Sequence, residues 1–400
     1  MHILHLIASM DPRGGGPSAG IRNLIPALEK MKISCDVACL DAPDETFVKN
    51  NPFRTHALGP AEKKWCYSQK LQPWLLNNLH NYDAVVLHGL WLYPGYAISS
   101  VIKKIKKQQR EDPNKVPKVF VMPHGMLDPY FQHATERRLK ALRNWLYWKL
   151  IERNVVNDAD GILFTCDEEQ LLARQSFAAY APKTEANVGC AVEPPPAFTN
   201  NMSRAFMQVC KGLKDDSYLL YFARINEKKG IDLLLKAFKT FQREAINKTI
   251  LVPKIVIAGP GIETAYGQKI RSLVDNDPFL KRNVFFTEML TGDAKWGALY
   301  GCEALVLPSH QENFGIAVVE ALACGKPVLI SDKVNIWREI NEAQAGIIKT
   351  DSISGVTELL SEWFNTALRS KRKMGFNAAN LYLSHYNLEQ AAFRLKAALI

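Results

Sequence analysis

Two carboxylates eight positions apart, Glu312 and Glu320, are the residues of this 400-residue chain most readily given a chemical task. They lie in Leu307-Pro308-Ser309-His310-Gln311-Glu312-Asn313-Phe314-Gly315, continued by Ile316-Ala317-Val318-Val319-Glu320-Ala321-Leu322-Ala323-Cys324-Gly325-Lys326-Pro327-Val328. The pattern predicts a strand ending at Leu307, a loop carrying Glu312, and a helix running from near Phe314 toward a strand at Pro327. With Glu312 at the helix entrance, Glu320 stands two turns inside, roughly 10 to 12 Å along the axis at about 1.5 Å per residue. That separation spans a diphosphate. One acid can meet sugar hydroxyls and the other the hydroxyls of a ribose, with helix-start amides near Gly315 facing the phosphates between them. Two exposed acids on a surface helix are the plain alternative, and the apolar Phe314, Ile316, Val318 and Val319 argue against it.

Three further groups fit the same chemistry. Ala223-Arg224-Ile225-Asn226-Glu227-Lys228-Lys229-Gly230 closes a predicted strand and leads into an amphipathic helix from Ile231 to Phe241. The fork of Arg224 and the point charge of Lys229, at the carboxyl edge of a sheet, suit a diphosphate. Gly14, Gly15 and Gly16 fill the first strand-to-helix turn, where backbone can approach an anion, although their spacing is not that of a dinucleotide fingerprint. His124 precedes Gly125 after one predicted strand, and His88 precedes Gly89 after another, with Trp91 beyond it. A lone histidine is more often structural; His88 and Trp91 are acceptor-side candidates on position alone.

The elements that must position these residues alternate. Short apolar runs at Ile3 to Ala8, Cys35 to Leu40, Ala84 to Leu87, Val119 to Met122 and Ile162 to Thr165 are separated by longer amphipathic stretches, the mark of parallel β-α units. Pro194, Pro195 and Pro196 break the series. It restarts at Tyr218 to Ala223, Ile255 to Ala258, Val284 to Phe286, Ala304 to Leu307 and Pro327 to Ile330. The α/β chain is therefore expected to form two Rossmann-like domains with parallel sheets facing across a cleft. Residues 1–193 form the acceptor side, 194–203 a proline-rich linker, 204–380 the donor side, and 381–400 a helix able to cross back to the first domain.

With 47% hydrophobic and 22% charged residues the composition is that of a globular protein, which excludes a disordered or fibrous chain. No window offers the roughly 18 apolar residues of a membrane span, and Ile3 to Ala8 lacks the flanks of a signal peptide. The expected location is cytoplasmic. The eight cysteines show no metal or redox spacing and read as buried thiols. The net charge of +10 gathers in two clusters, Lys103, Lys104, Lys106, Lys107, Arg110, Lys115 and Lys118, then Arg137, Arg138, Lys140, Arg143, Lys149 and Arg153. The second overlaps a predicted helix from Thr135 to Val155, whose stripe of Leu139, Leu142, Leu146 and Leu150 more often packs on a sheet. The alternative for the helix, which also carries Trp145, Tyr147 and Trp148, is a peripheral contact with an anionic membrane at its inner face. Nucleic-acid binding lacks an interleaved basic and aromatic motif.

The setting of Glu312 and Glu320, P-S-x-x-E-x-F-G followed by E-A-x-A-x-G-x-P-V, resembles the paired-glutamate motif of the retaining glycosyltransferase family four, the group 1 glycosyltransferases, whose two-domain fold is called GT-B. The resemblance extends over most of the chain. It implies that Glu312 contacts the donor sugar, Glu320 the ribose, and Arg224 with Lys229 the diphosphate. It also matches Gly15 and Gly16 to the family's first glycine loop, His124 with Gly125 to its histidine loop beside the transferred sugar, and Glu169 to a further family acid. Asn313, Phe314, Gly315 and Ile316 join the donor-binding set, as do Glu288 and Met289 in a loop expected near the base. Two departures stand out: Ala223 and Glu288 occupy positions where the family usually has Gly, and Glu288 leaves the choice between UDP and GDP open.

The expected reaction moves a hexose-type sugar from a nucleotide diphosphate donor to a glycan or lipid-linked glycan, as in cell-surface polysaccharide synthesis. No cofactor or metal is expected, since the family's mechanism needs none and no D-x-D motif is placed to bind one. The chain offers no clear carboxylate for a covalent intermediate, which favours front-face transfer. An epimerase or phosphorylase of the same fold, or a non-catalytic nucleotide-sugar binder, are the rival readings.

Overall fold

The computed structural model describes residues 1–62, 65–108, 116–133, 138–214, 216–248 and 252–400. Arg110, Lys115, Arg137 and the first residues of the helix expected from Thr135 lie outside them. The chain divides into two compact units, one of Met1–Ala191 with Leu388–Ile400 and one of Val192–Asn387.

The first unit holds seven parallel strands, β1 (His2–Ile7), β2 (Ser34–Cys39), β3 (Thr55–Ala57), β4 (Ala84–His88), β5 (Lys118–Met122), β6 (Gly161–Phe164) and β7 (Glu185–Asn187), in the order β3-β2-β1-β4-β5-β6-β7. The second holds six, β8 (Tyr218–Phe222), β9 (Lys254–Ala258), β10 (Val284–Thr287), β11 (Ala304–Leu307), β12 (Val328–Ser331) and β13 (Gly346–Lys349), in the order β10-β9-β8-β11-β12-β13. The inner strands β4, β5, β6, β8, β9, β11 and β12 are apolar runs buried on both faces, as parallel strands covered by helices must be. Each order reverses direction once, between β1 and β4 and between β8 and β11, and the loops after the strands flanking such a switch point leave a crevice at the carboxyl edge.

The terminal helix Leu388–Leu399 packs in the first unit against the helix Gly16–Lys30, burying Ala392, Leu395 and Leu399 in the cluster under β1. Lys118 fastens its end, donating to the Ile400 carbonyl at 2.6 Å. Pro194 to Pro196 have no regular secondary structure and lie in the second unit before the helix Asn200–Val209, which packs on the helix Gly292–Gly301.

The leucine stripe does not pack on the sheet. The expected long helix is instead a helix Arg138–Tyr147, one π turn Trp148–Glu152 and a helix Arg153–Asp158. The side turned inward carries Asn144, Trp148, Glu152 and Val155, so Leu139 stands 85% and Leu150 75% exposed, with Leu142 and Leu146 exposed beside them. The inward face is thus set by Trp148 stacking on Phe177 at 4.7 Å, not by the leucines.

Candidate functional site

In the second unit the loop after β8 is locked to its neighbours by backbone. Ile225 donates to the Pro260 carbonyl at 2.8 Å. Gly259 (φ 145°) faces the Ala223 carbonyl so closely that a β-carbon would overlap it, and one at Gly261 would lie 2.7 Å from the Ile225 oxygen. The Asn226 side chain caps the turn Glu227–Lys229 by accepting from the Lys228 amide at 3.1 Å, and Gly230 ends it in the left-handed region at φ 65°. The Lys228 carbonyl accepts from the His310 amide at 2.8 Å, tying this loop to the one after β11. The consequence is an ion pair between Lys229 Nζ and Glu312 Oε2, whose side chains are only 15% and 21% exposed. Arg224 is exposed and pairs with no described residue.

Glu312 is not on the helix. Its amide donates to Lys333 at 2.9 Å and its carbonyl accepts from Asn335 at 3.0 Å, so it forms a bridge with the segment after β12. Gly315, at φ 79°, turns the chain, and the helix begins at Ile316. Glu320 is then about one turn inside, roughly 6 Å of rise at ~1.5 Å per residue, rather than two. Its carboxylate meets Lys295 Nζ at 2.6 Å, from the helix Gly292–Gly301. Burial raises the Glu320 pKa, Lys295 opposes that rise, and Glu193 adds to it. Phe314 is buried with its ring edge-on to Tyr386 at 5.6 Å, while Asn313 and Ile316 are half-buried. The two switch-point loops thus bring together Lys229, Glu312 and the start of the Glu320 helix. Glu288 and Met289 lie exposed after β10, two strands from β8.

In the first unit Gly15 (φ 99°) precedes the helix Gly16–Lys30 without a side-chain cap, and a β-carbon at Gly14 or Gly15 would meet nothing within 4 Å. The open backbone leaves room for an anion at that helix start. His124 stands at φ 52° beside Gly125 at φ 78°. Buried Glu169 clamps this turn: one carboxylate oxygen accepts from the Gly125 amide at 2.5 Å and the other from the Thr165 amide at 2.8 Å. His88 is buried with both ring nitrogens engaged, by His5 at 3.0 Å and His124 at 2.9 Å. Trp91 (φ 68°) packs near Phe177 and donates its amide to Glu152 at 2.7 Å. Burial pushes the Glu152 carboxyl up to about 8, partly offset by that amide.

Burial lowers His5 and His124 to about 4 and His88 well below the ordinary value. Between pH 6.5 and about 4 the unfolded chain therefore binds protons that the folded protein refuses. Stability is fully present above pH 6.5 and is lost as pH falls toward 4; at ~1.4 kcal/mol per pKa unit His5 alone contributes about 3 kcal/mol. Thermal midpoints measured from pH 7 to 4 should fall more steeply for the native protein than for His5→Leu, and parallel profiles would remove His5 as the cause.

Several partners left no sign in spacing. Lys295 sits in a helix without a marked apolar face, and Glu152 shares its helix face with Asn144 and Trp148 rather than with the leucines. His5 had one available signal, a titratable residue inside the apolar run of β1. Gly259 and Gly261 had another, flanking a proline after a strand. Among the described residues no three His, Cys, Asp or Glu side chains are grouped to hold a metal ion, and no helix is long and apolar enough to cross a membrane.

Two sequence families match this architecture. Residues 205–380 match "Glycosyl transferases group 1" and residues 15–186 match "Glycosyl transferase 4-like domain". The chain belongs to the group 1 glycosyltransferase family and has its GT-B fold. It is 24% identical over 272 residues to the alpha-D-kanosaminyltransferase of Streptomyces kanamyceticus, 66% of each chain. It is 28% identical over 189 residues to the lipopolysaccharide 1,2-N-acetylglucosaminetransferase of Salmonella typhimurium, covering 46% of this chain and 48% of that one. These matches span less than two thirds of the relatives' lengths. The fold is that of Anabaena HepE solved with UDP and glucose, at a TM-score of 0.71 and 15% identity over 99% of this chain and 98% of that one.

Proposed function

We propose that the protein is a retaining glycosyltransferase that moves a hexose-type sugar from a UDP or GDP donor to a glycan or lipid-linked glycan. The observation that carries this reading is the pairing of Lys229 with Glu312 and Lys295 with Glu320 at the carboxyl edge of the second sheet. Lys229 and exposed Arg224 face the diphosphate and stabilise the charge that grows as the sugar leaves. Glu312 accepts from the sugar hydroxyls, Glu320 from the ribose, and the helix start at Ile316 meets the phosphates with its amides. Asn313, Phe314 and Gly315 shape that turn, and Glu288 and Met289 belong to the base end. In front-face transfer a phosphate oxygen takes the acceptor's proton, so no added base, metal or cofactor is assigned. In the first unit Gly15 and Gly16 offer an anion site, His124 a hydrogen bond to a sugar, and Trp91 an acceptor-side wall, with His88 behind His124. The UDP and glucose of the HepE structure favour a uridine donor.

A thermal-shift panel of nucleotide diphosphates and their sugars tests this. One base should stabilise the protein, and Glu320→Ala should weaken that donor about 10- to 100-fold, the scale of a lost hydrogen bond to a charged group of ~1.5–3 kcal/mol. No response to any nucleotide would end the assignment. Binding without transfer would leave a nucleotide-sugar binder, and a changed sugar without an acceptor an epimerase.

The lipid-linked acceptor is supported by the outward stripe of Leu139, Leu142, Leu146 and Leu150, flanked by exposed Arg138, Lys140, Arg143, Lys149 and Arg153. Trp145 is 44% exposed with Lys149 over its ring. Leucine for the acyl boundary and cations for anionic headgroups fit a bilayer surface. The protein should co-sediment with phosphatidylglycerol vesicles in a salt-sensitive way, and Leu139→Ser with Leu146→Ser should lower binding at least tenfold. Binding indifferent to both salt and these changes would assign the stripe elsewhere.

A further inference from the structure

Three imidazoles stand in line in the first unit, and their contacts allow only two arrangements of protons. His5 Nδ1 lies 3.0 Å from His88 Nε2, and His88 Nδ1 lies 2.9 Å from His124 Nε2. The sheet sets this line. Ile7 of β1 is opposite His88 of β4, which is opposite Met122 of β5, so His5 lies two positions behind the row and His124 two positions beyond it. A neutral imidazole carries one N–H and one bare nitrogen. Because each contact needs one of each, the choice at one ring fixes all three. Either every proton is on Nδ1, leaving a bare Nε2 on His5 and an N–H at His124 Nδ1, or every proton is on Nε2, with the ends reversed.

The two ends differ in their surroundings. His5 is fully buried, and its Nε2 has no hydrogen-bonding partner in the protein. Ile3 and Ile7, which share its face of β1, belong to an apolar cluster. His124 is half-buried, and its Nδ1 is not among the enclosed polar atoms left without a partner. A buried N–H with no acceptor is the rarer defect in folded proteins, because a bare acceptor is tolerated more readily. We propose that His5 and His88 are positioning residues that hold His124 as the Nδ1–H tautomer, a neutral donor aimed at an oxygen of a bound sugar. The Glu169 clamp on the Gly125 amide keeps the turn, and with it the ring, in register. A His124 of this form holds a substrate oxygen and offers it no basic nitrogen. The tautomer is independent of the activity proposed above, whereas the sugar oxygen rests on it.

Long-range proton–nitrogen correlation on the full chain labelled with 15N-histidine, at pH 7, tests both parts. Protonated Nδ1 and bare Nε2 are expected at His5, His88 and His124, and a protonated Nε2 at His124 overturns the assignment without any variant. His88→Asn, whose amide nitrogen can replace Nδ1 as donor, should keep His124 as Nδ1–H. His88→Leu should release it to a mixture of tautomers, and an unchanged His124 spectrum there would overturn the role of the line. Adding UDP-glucose should shift the His124 Nδ1 resonance and UDP alone should not. An equal shift with UDP alone would overturn the sugar oxygen as the target. No shift from UDP-glucose when thermal stabilisation shows it bound would overturn the contact, and no stabilisation at all would instead count against the proposed function.

Discussion

Lys229→Ala is expected to lower turnover about 10²- to 10³-fold, the ~2.7–4 kcal/mol usual for one lost donor to a developing oxyanion. Two effects combine at this residue and can be separated. In the protein as folded, Lys229 neutralises Glu312, and both are largely shielded from water. Removing the lysine leaves a shielded carboxylate without its partner, which costs stability before any substrate arrives. Removing Glu312 as well relieves that cost. The thermal midpoint should therefore fall in Lys229→Ala and partly recover in the double variant with Glu312→Ala, while turnover stays low in both. Arg224→Ala provides the contrast: an exposed group with no described partner should slow turnover with little change in midpoint. Wild-type turnover in Lys229→Ala would move the diphosphate elsewhere, and additive losses in the cycle would mean that the pair does not act as a unit.

How much of this was legible depends on which physical signal each element carries. Strands β8, β9 and β11 are apolar runs because both faces are covered, and such runs are visible without any partner. The edge strands β3 (Thr-His-Ala) and β7 (Glu-Ala-Asn) have three half-buried residues each and no alternation, so they went unread. The last strand, β13, is short and only partly buried. The leucine stripe misled because helical period reports that a face is apolar, not that it is covered; Trp148 and Glu152, on the other side, were the buried ones. Glu312 and Glu320 were legible as a pair, one in a loop and the other on a helix, but the left-handed Gly315 starts that helix only at Ile316 and so shortens the rise to Glu320. Lys295 and His5 became site neighbours only through tertiary packing, which pairs residues 25 and 83 positions apart from Glu320 and His88.

Gly230→Ala should be among the most damaging single-methyl changes in the second unit. Its φ of 65° already places any other residue in the left-handed region, at a cost of about 1–2 kcal/mol. A β-carbon would in addition overlap the carbonyl oxygen of Pro308, and that oxygen belongs to backbone which cannot swing aside as a side chain would. Relief requires the loop after β11 to withdraw, breaking the His310 to Lys228 hydrogen bond of 2.8 Å and parting Lys229 from Glu312. Gly325→Ala separates the two penalties. Gly325 has a similar φ of 68°, but its β-carbon would stand 3.6 Å from the nearest atom, an ordinary contact. At roughly 2–4 °C per kcal/mol for a unit of this size, Gly325→Ala should lower the thermal midpoint by a few degrees. Gly230→Ala should lower it by about 10 °C or more and abolish stabilisation by the nucleotide donor. Equal losses in the two variants would mean that the loops are not pressed together at Gly230, and that Lys229 and Glu312 meet without the backbone lock that the distances describe.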